Sequence, residues 1–281
     1  MPYLIISILF VLLEWLWPRR PNQTQIRRGI ITDIVHWAFN GYAFYYLGYS
    51  LVKGLAYAWF IGMLRSLGVE GLPGANLLNG LPFVLQFLLF FLVQDFLMWC
   101  THNLLHRVGF LWSIHRVHHS ITTMDWIGNM RYHWGEVVVY ELIKFLPLML
   151  LGADESIVVA VTVFNTFIGH FNHANLKVDI GPLKYVINSP AMHIWHHDRD
   201  GAGSHNVNFG IGLSLWDWIF RTAYMPAAGE PQAPERLGFD GIESFPSTFI
   251  GQQLFPLSLA WKRSAVFFML LLCALLLAAA R

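Results

Sequence analysis

Long apolar runs dominate this sequence, and they limit what the chain can fold into. A helix that crosses a bilayer needs about 20 mostly apolar residues. Runs of this kind occupy 3–17, 31–52, 81–101, 137–172 and 264–280, of which the first is short and the fourth is long enough for two passes. With 56% hydrophobic and only 12% charged residues, the chain is too apolar for an ordinary soluble domain. We therefore predict an all-α fold, a polytopic membrane helical bundle.

Charge and cysteine content exclude other classes. A formal net charge of +1 is too low for a nucleic-acid-binding protein. The two cysteines, Cys100 and Cys273, lie in separate apolar segments, so no disulfide framework organises the fold. The first apolar run has no basic residue before it and no small-residue cleavage site after it. This pattern is typical of a retained anchor and not of a signal peptide.

Basic residues near the apolar runs predict the topology. The first loop carries four arginines, whereas the loop 53–80 holds only Lys53 and Arg65. The positive-inside rule then places the first loop in the cytoplasm and the N-terminus outside. The segment 137–172 must turn at Gly152-Ala153-Asp154 and come back, and Lys262-Arg263 start the last span from the cytoplasmic side. We expect an integral, multi-pass protein of the bacterial inner membrane, with its histidine-rich segments on the cytoplasmic face. The four arginines are Arg19, Arg20, Arg27 and Arg28.

Ten of the 13 histidines form four clusters, "HNLLH", "HRVHH", "HFNH" and "HIWHH". Spacings of three and four place side chains on one helical face, so each HxxHH triplet is expected to converge on one point. Imidazole is the commonest metal ligand, and ten rings exceed what one tetrahedral ion can hold. The pattern therefore predicts two metal ions. The ten are His102, His106, His115, His118, His119, His170, His173, His193, His196 and His197.

Other polar residues near these clusters fit more than one role. Asp95 lies seven residues before His102, two helical turns along the same face. It is interpreted either as the acceptor of an imidazole N–H or as a buried helix contact. His36, inside an apolar run, fits a core contact as well as a functional group, and His205 fits a surface loop.

The clusters and their flanking residues resemble the membrane-bound fatty acid hydroxylase or sterol desaturase superfamily. The resemblance rests on "QDFLMWCTHNLLHR", "WSIHRVHHS", "RYHWGE", "HFNHANL", "PAMHIWHHDRD" and "NFGIGLSLWDWIFRT", in order over residues 94–222. It implies that all ten clustered histidines bind two iron ions, and that dioxygen activated there oxidises a C–H bond of a lipid. The sequence departs from the family pattern at Trp134, where proline is more common, and at Arg221, where glycine is usual. His133 matches a position that is not normally a ligand.

These observations predict one integrated domain in three parts: residues 1–93, the histidine-rich region 94–222, and a loop with a last helix over 223–281. No haem or flavin domain is visible, so electrons would come from a separate redox partner, a ferredoxin, flavin reductase or haem electron carrier. The alternatives are a metal-binding membrane protein without catalysis and a metal transporter. A transporter needs ionisable groups at mid-bilayer, whereas the polar mid-span residues are few (Asp33, Asn40 and Gln86) and the histidines lie at the ends of the spans. The lipid and the choice between hydroxylation, desaturation and methyl oxidation stay open.

Overall fold

The computed structural model describes residues 2–69, 78, 80–152, 155–201, 206–227 and 229–257. These residues form α-helices joined by loops and short 3₁₀ turns, with no strand among them, so the all-α prediction is confirmed. The expected last span 264–280, Lys262-Arg263, Cys273 and His205 lie outside the described residues. The helices are α1 (Pro2–Leu16), α2 (Ile30–Ala38), α3 (Phe44–Ser66), α4 (Phe83–Arg107), α5 (Gly109–His119), α6 (Trp134–Leu151), α7 (Glu155–His173), α8 (Pro190–His196), α9 (Leu215–Ile219) and α10 (Phe249–Leu254).

Helix α4 is the strongest membrane-spanning candidate in the described part of the chain. It has 25 residues and is the one described helix both long and apolar enough to cross a bilayer, by length and composition alone. Helix α1 is apolar but shorter. The region 137–172 does divide into two helices, α6 and α7, close to the predicted turn. The polytopic arrangement itself is therefore not confirmed.

The predicted span 31–52 differs from the structure, because a π-helical turn separates α2 from α3. This turn covers Phe39–Ala43, and α3 continues to Ser66. Within the turn, the Asn40 amide donates hydrogen bonds to the carbonyls of Met130 and Tyr132, at 2.9 and 3.1 Å. The Tyr3 ring packs so closely that a Cβ on Gly41 would lie 2.5 Å from it. These tertiary contacts explain the irregular backbone, which a hydropathy pattern does not reveal.

A buried ionic network joins the first loop and α2 to the loop that follows α5. The carboxylate of Asp33, fully buried, accepts hydrogen bonds from Arg131 at 2.5 Å and pairs with Arg27 at 2.8 Å. Arg27 also pairs with Asp125 at 2.6 Å. Arg131 in turn donates to the Ser120 carbonyl at the end of α5. The network therefore fixes the end of the helix that carries the "HRVHH" histidines.

We expect Asp33→Ala to destabilise the fold strongly, because it leaves Arg131 buried without its counterion. Breaking a buried ion pair in this way costs about 3–5 kcal/mol. Thermal unfolding of the purified protein in detergent measures the change. The control is Asp200→Ala, which removes the partner of the exposed Arg236 at 2.6 Å and should cost about 1 kcal/mol or less. Equal, small shifts in both variants would contradict the assigned importance of the Asp33 network.

Candidate metal centre

Five histidines from three helices form the first histidine group. One ring nitrogen from each lies within 4.8 Å of the others. Four of the five side chains are buried, and that of His106 is partly exposed. The Nε2 of His115 is 3.1 Å from that of His102 and 3.0 Å from that of His106. The members are His102 and His106 of α4, His115 and His119 of α5, and His196 of α8.

Four more histidines form the second histidine group, which meets the same closeness criterion and is entirely buried. The Nε2 of His173 is 3.1 Å from that of His118 and 3.2 Å from that of His193. The members are His118 of α5, His173 of α7, and His193 and His197 at α8.

Each HxxHH triplet is divided between the two groups, so the expectation that its three rings converge on one point is wrong. At about 100° per residue, positions i and i+4 point about 40° apart, whereas i+3 and i+4 point about 100° apart. In "HRVHH" the i and i+4 rings accordingly share the first group, and the i+3 ring, His118, lies in the second. In "HIWHH" the i and i+4 rings share the second group and His196 enters the first.

Hydrogen bonds at the outer ring nitrogens set the direction of the inner ones. The Nδ1 of His102 is 2.8 Å from the Phe209 carbonyl, and the Nδ1 of His115 is 2.7 Å from the Glu136 carboxylate. The Phe209 carbonyl can only accept, so a neutral His102 ring carries its proton on Nδ1. The Nε2 lone pair of His102 then faces the Nε2 of His115 at 3.1 Å. Ring nitrogens that converge in this way are the arrangement that a metal ion requires of imidazole ligands.

The donor set fits a transition metal. With metal–nitrogen distances of about 2.1 Å, adjacent ligand nitrogens lie about 3.0–3.4 Å apart in octahedral or tetrahedral coordination, close to the separations in both groups. Burial lowers the pKa of His118, His119, His193 and His197 well below 6.5. These rings are therefore neutral near pH 7 and keep a lone pair for a metal. Imidazole ligands suit iron, zinc, copper and nickel.

The structure does not bring the tenth predicted ligand, His170, into either group. Its Nε2 lies 3.3 Å from the Ser7 hydroxyl and its Nδ1 lies 3.1 Å from the Asn129 amide nitrogen. The ring also packs against Phe10 and Trp126, at centroid distances of 5.8 and 5.1 Å. Both ring nitrogens thus face α1 and the 126–130 turn.

Asp95 does not contact His102, so the expected hydrogen bond between them is wrong. Its carboxylate accepts from the backbone N–H groups of Gly212 and Leu213, at 2.7 and 3.0 Å, and from the Trp216 indole at 2.9 Å. A Cβ on Gly212 would lie 2.8 Å from the Asp95 carboxylate, which favours glycine there. Asp95 therefore fixes the loop 209–216, and this loop supplies the carbonyl that orients His102.

Two carboxylates that the sequence did not single out support the site. Glu136, fully buried at the start of α6, accepts from His115. Asp217 accepts from the backbone N–H groups of Phe209 and Gly210, at 2.9 and 2.7 Å, and from the Trp99 indole at 3.0 Å. Both lie in segments that carried the family resemblance, "RYHWGE" and "WDWIFRT". No local spacing links either of them to its partner.

The remaining predicted positions have clear surroundings. His133 donates from Nε2 to the Gln253 carbonyl at 2.8 Å and accepts from the Gly135 N–H at 3.0 Å, outside both groups. His36 lies 2.8 Å from the Gln252 amide oxygen in the core. Arg221 has φ of 60°, in the left-handed region where glycine is least strained. This backbone explains why glycine is usual at that position of the family.

A cavity of about 440 Å³ lies beside the second group. The ring of Tyr132 forms part of its wall and stacks on His118, with centroids 4.9 Å apart and planes 7° apart. Valines of α6 and α7 form much of the lining. An apolar chain in this cavity would therefore end close to the second histidine group.

Comparison with known proteins agrees with this geometry. Residues 87–222 match the family model described as fatty acid hydroxylase. The matched part, just under half of the chain, is similar to the fatty acid hydroxylase family. The resemblance predicted over residues 94–222 is therefore confirmed, because the matched residues include that whole segment.

Several characterised proteins are similar to this chain. The ornithine lipid hydroxylase of Rhizobium tropici is 30% identical over 145 residues, 52% of this chain and 44% of that protein. The alkylglycerol monooxygenase of Caenorhabditis elegans is 30% identical over 146 residues, 50% of this chain and 27% of the relative. The human alkylglycerol monooxygenase is 27% identical over 132 residues, which are 47% of this chain and 29% of that protein. The chain thus spans less than half the length of each, and no solved structure matches it.

Glu136→Met should weaken metal binding at the first histidine group. The change keeps a similar side-chain volume and removes the acceptor of the His115 Nδ1–H, a loss that typically costs about 10–100-fold in metal affinity or activity. Metal content at limiting iron measures it. Glu136→Gln, which keeps one acceptor oxygen, should lose less. Wild-type metal content in both variants would show that this hydrogen bond does not support the metal.

Asp95→Asn should give a partial loss of metal affinity through the loop 209–216. The asparagine NH₂ replaces one acceptor oxygen and faces N–H groups, so the loop and its Phe209 carbonyl loosen. Trp216→Phe removes only one of the three hydrogen bonds and should have the smaller effect. Metal titration of both variants tests the order. Wild-type affinity in Asp95→Asn would reduce Asp95 to a helix–loop contact.

Proposed function

We propose that this protein is a membrane-bound, non-haem di-iron oxidoreductase that uses dioxygen and electrons from a separate redox partner to oxidise a C–H bond of a membrane lipid. The matched family model and the hydroxylase and monooxygenase relatives support oxidation of a lipid. The observation that carries the proposal is the gathering of nine histidines in two groups, in each of which the ring nitrogens lie within 4.8 Å of one another.

The two histidine groups would hold one iron ion each. Bound iron would supply the capacity to activate dioxygen, which amino acid side chains lack. The chain itself orients the ligands: acceptors fix the Nδ1–H of four rings and so aim each Nε2 inward. These acceptors are Phe209, Glu136, Gly169 and Val207, which bond His102, His115, His173 and His196. Burial of eight of the nine rings keeps bulk water away.

The position of the groups suits a lipid substrate. His102 and His106 lie in the last turns of α4, the helix long and apolar enough to span a membrane. A site at this end can meet a lipid chain from the bilayer and electrons from the aqueous side. We propose that this side is the cytoplasm, because the first loop carries four arginines and Arg20 donates to the Met124 carbonyl in the loop that follows α5.

Single substitutions in each group test the metal assignment. We expect His106→Ala and His193→Ala each to lower the iron content from about two ions to about one per chain, because each removes a ligand from a different group. Both should abolish lipid oxidation. The matched comparison is His170→Gln, which lies outside both groups and should keep both ions. An iron content in His170→Gln as low as in the other two would make His170 a ligand.

Lipid oxidation itself is tested by isotope labelling. Cells that express the protein under ¹⁸O₂ should contain a lipid with one additional ¹⁸O atom, absent from a deletion strain and from the His193→Ala strain. Mass spectrometry of total lipids measures it. Wild-type protein that holds two iron ions but adds no label and no double bond to any lipid would favour the inactive metal-binding alternative.

A further inference from the structure

Four polar side chains line the cavity halfway along the apolar helices, and they form what we name the polar belt. The Gln94 amide, only 3% exposed, donates to the Lys144 carbonyl at 3.3 Å and accepts from the Asn165 amide at 2.5 Å. The Lys144 ammonium pairs with the Glu141 carboxylate at 2.9 Å. All four residues face the same cavity. The belt therefore combines two amides with one neutralised ion pair.

The belt stands at a defined depth from the histidine groups. Gln94 precedes His102 by eight residues on α4, and Asn165 precedes His173 by eight residues on α7. Eight residues of helix correspond to about 12 Å. Gln94 is also the twelfth of the 25 residues of α4, near the middle of the candidate spanning helix. Polar and ionisable groups at such a depth are costly and normally mark a functional site.

We propose that the polar belt binds the uncharged hydrogen-bonding group of the lipid substrate, a hydroxyl or an amide, while the chain extends through the cavity toward Tyr132. This inference rests on the proposed function and adds the substrate class. A bare hydrocarbon in the cavity would cover the amides and the ion pair without offering hydrogen bonds, which is unfavourable. A hydroxyl or amide can both donate to Glu141 or Gln94 and accept from Lys144 or Asn165.

Charge balance favours an uncharged group over an ionised one. The Lys144 charge is neutralised by Glu141 at 2.9 Å, and the other two belt residues are amides. A carboxylate or phosphate would gain Lys144 but would meet Glu141 at close range. The bound polar group also sets the oxidised position, since it holds the chain about 12 Å from the histidine groups. The position of the oxidised carbon is therefore fixed by its distance from the polar group and not by its distance from the methyl end.

A displacement assay tests the belt directly. Metal-loaded protein in maltoside detergent binds tritiated dodecan-1-ol, and unlabelled dodecan-1-ol, dodecanamide, dodecane and dodecanoate compete at pH 8. The alcohol and the amide should bind at least about tenfold more tightly than dodecane and dodecanoate, the equivalent of one well-placed hydrogen bond. Gln94→Leu combined with Asn165→Leu should reduce the preference for the alcohol over dodecane, because only the Glu141–Lys144 pair is left to bond the hydroxyl.

The control variant is Thr162→Val, which lies on the same cavity wall. Its hydroxyl already bonds to the Val158 carbonyl at 2.8 Å within α7, so this isosteric change should leave the preference intact. Asn165→Leu alone provides the same comparison should the double variant fail to fold. Wild-type protein that binds dodecane or dodecanoate as tightly as the alcohol would overturn the proposal, as would a folded belt variant that keeps the preference.

The assay separates this inference from the proposed function. Binding is measured without turnover, whereas the function depends on ¹⁸O incorporation into lipids. A preference for the alcohol without any lipid oxidation would leave the belt as a lipid-binding site and overturn the function. Lipid oxidation without the preference would leave the function and overturn the belt.

Discussion

Nine imidazole rings gathered in two groups suit metal ions, and much of the surrounding structure serves to hold the rings in that arrangement. His102 shows this directly, because its outer nitrogen is committed to the Phe209 carbonyl while its Nε2 lies 3.1 Å from the Nε2 of His115. In water such rings would turn away from each other. Here burial removes that freedom, and the acceptors at Nδ1 fix the tautomer. The supporting hydrogen bonds therefore orient the rings toward the centre of each group.

The supporting groups come from distant parts of the chain, so the metal centre depends on the whole fold. Asp95 of α4 and Asp217 of α9 both hold the loop 209–216 by accepting hydrogen bonds from its backbone N–H groups. That loop positions the Phe209 carbonyl on His102. The Asp33–Arg131 network fixes the end of α5. A mutation in any of these carboxylates would thus act on the histidines without touching them, which is why metal affinity and fold stability are the informative measurements for them.

Local periodicity predicted part of this site and missed the rest for a physical reason. Spacings of three and four residues correctly identified nine histidines that gather in two groups, since helix geometry acts over one turn. The same geometry, applied at 100° per residue, would have divided each HxxHH triplet between two groups. Glu136 lies 21 residues from His115 and Asp95 lies 117 residues from Gly212; no local rule reports such pairs. The π-helical turn at Phe39–Ala43 likewise follows from contacts with Tyr3 and Met130.

Mean hydropathy along the sequence also does not reveal the polar belt. An average over a window of α4 is dominated by leucine, valine and phenylalanine, so a single residue such as Gln94 does not lower it below the range of a spanning helix. Its significance appears only when the helices are packed, because Gln94 and Asn165 then meet across α4 and α7 on one cavity wall. Helix α4 carries both Gln94 and His102, so the distance between polar belt and histidine groups is set by a rigid element of fixed rise. A rigid separation of this kind can select the carbon that is oxidised, whereas an apolar wall alone can only admit or exclude a chain.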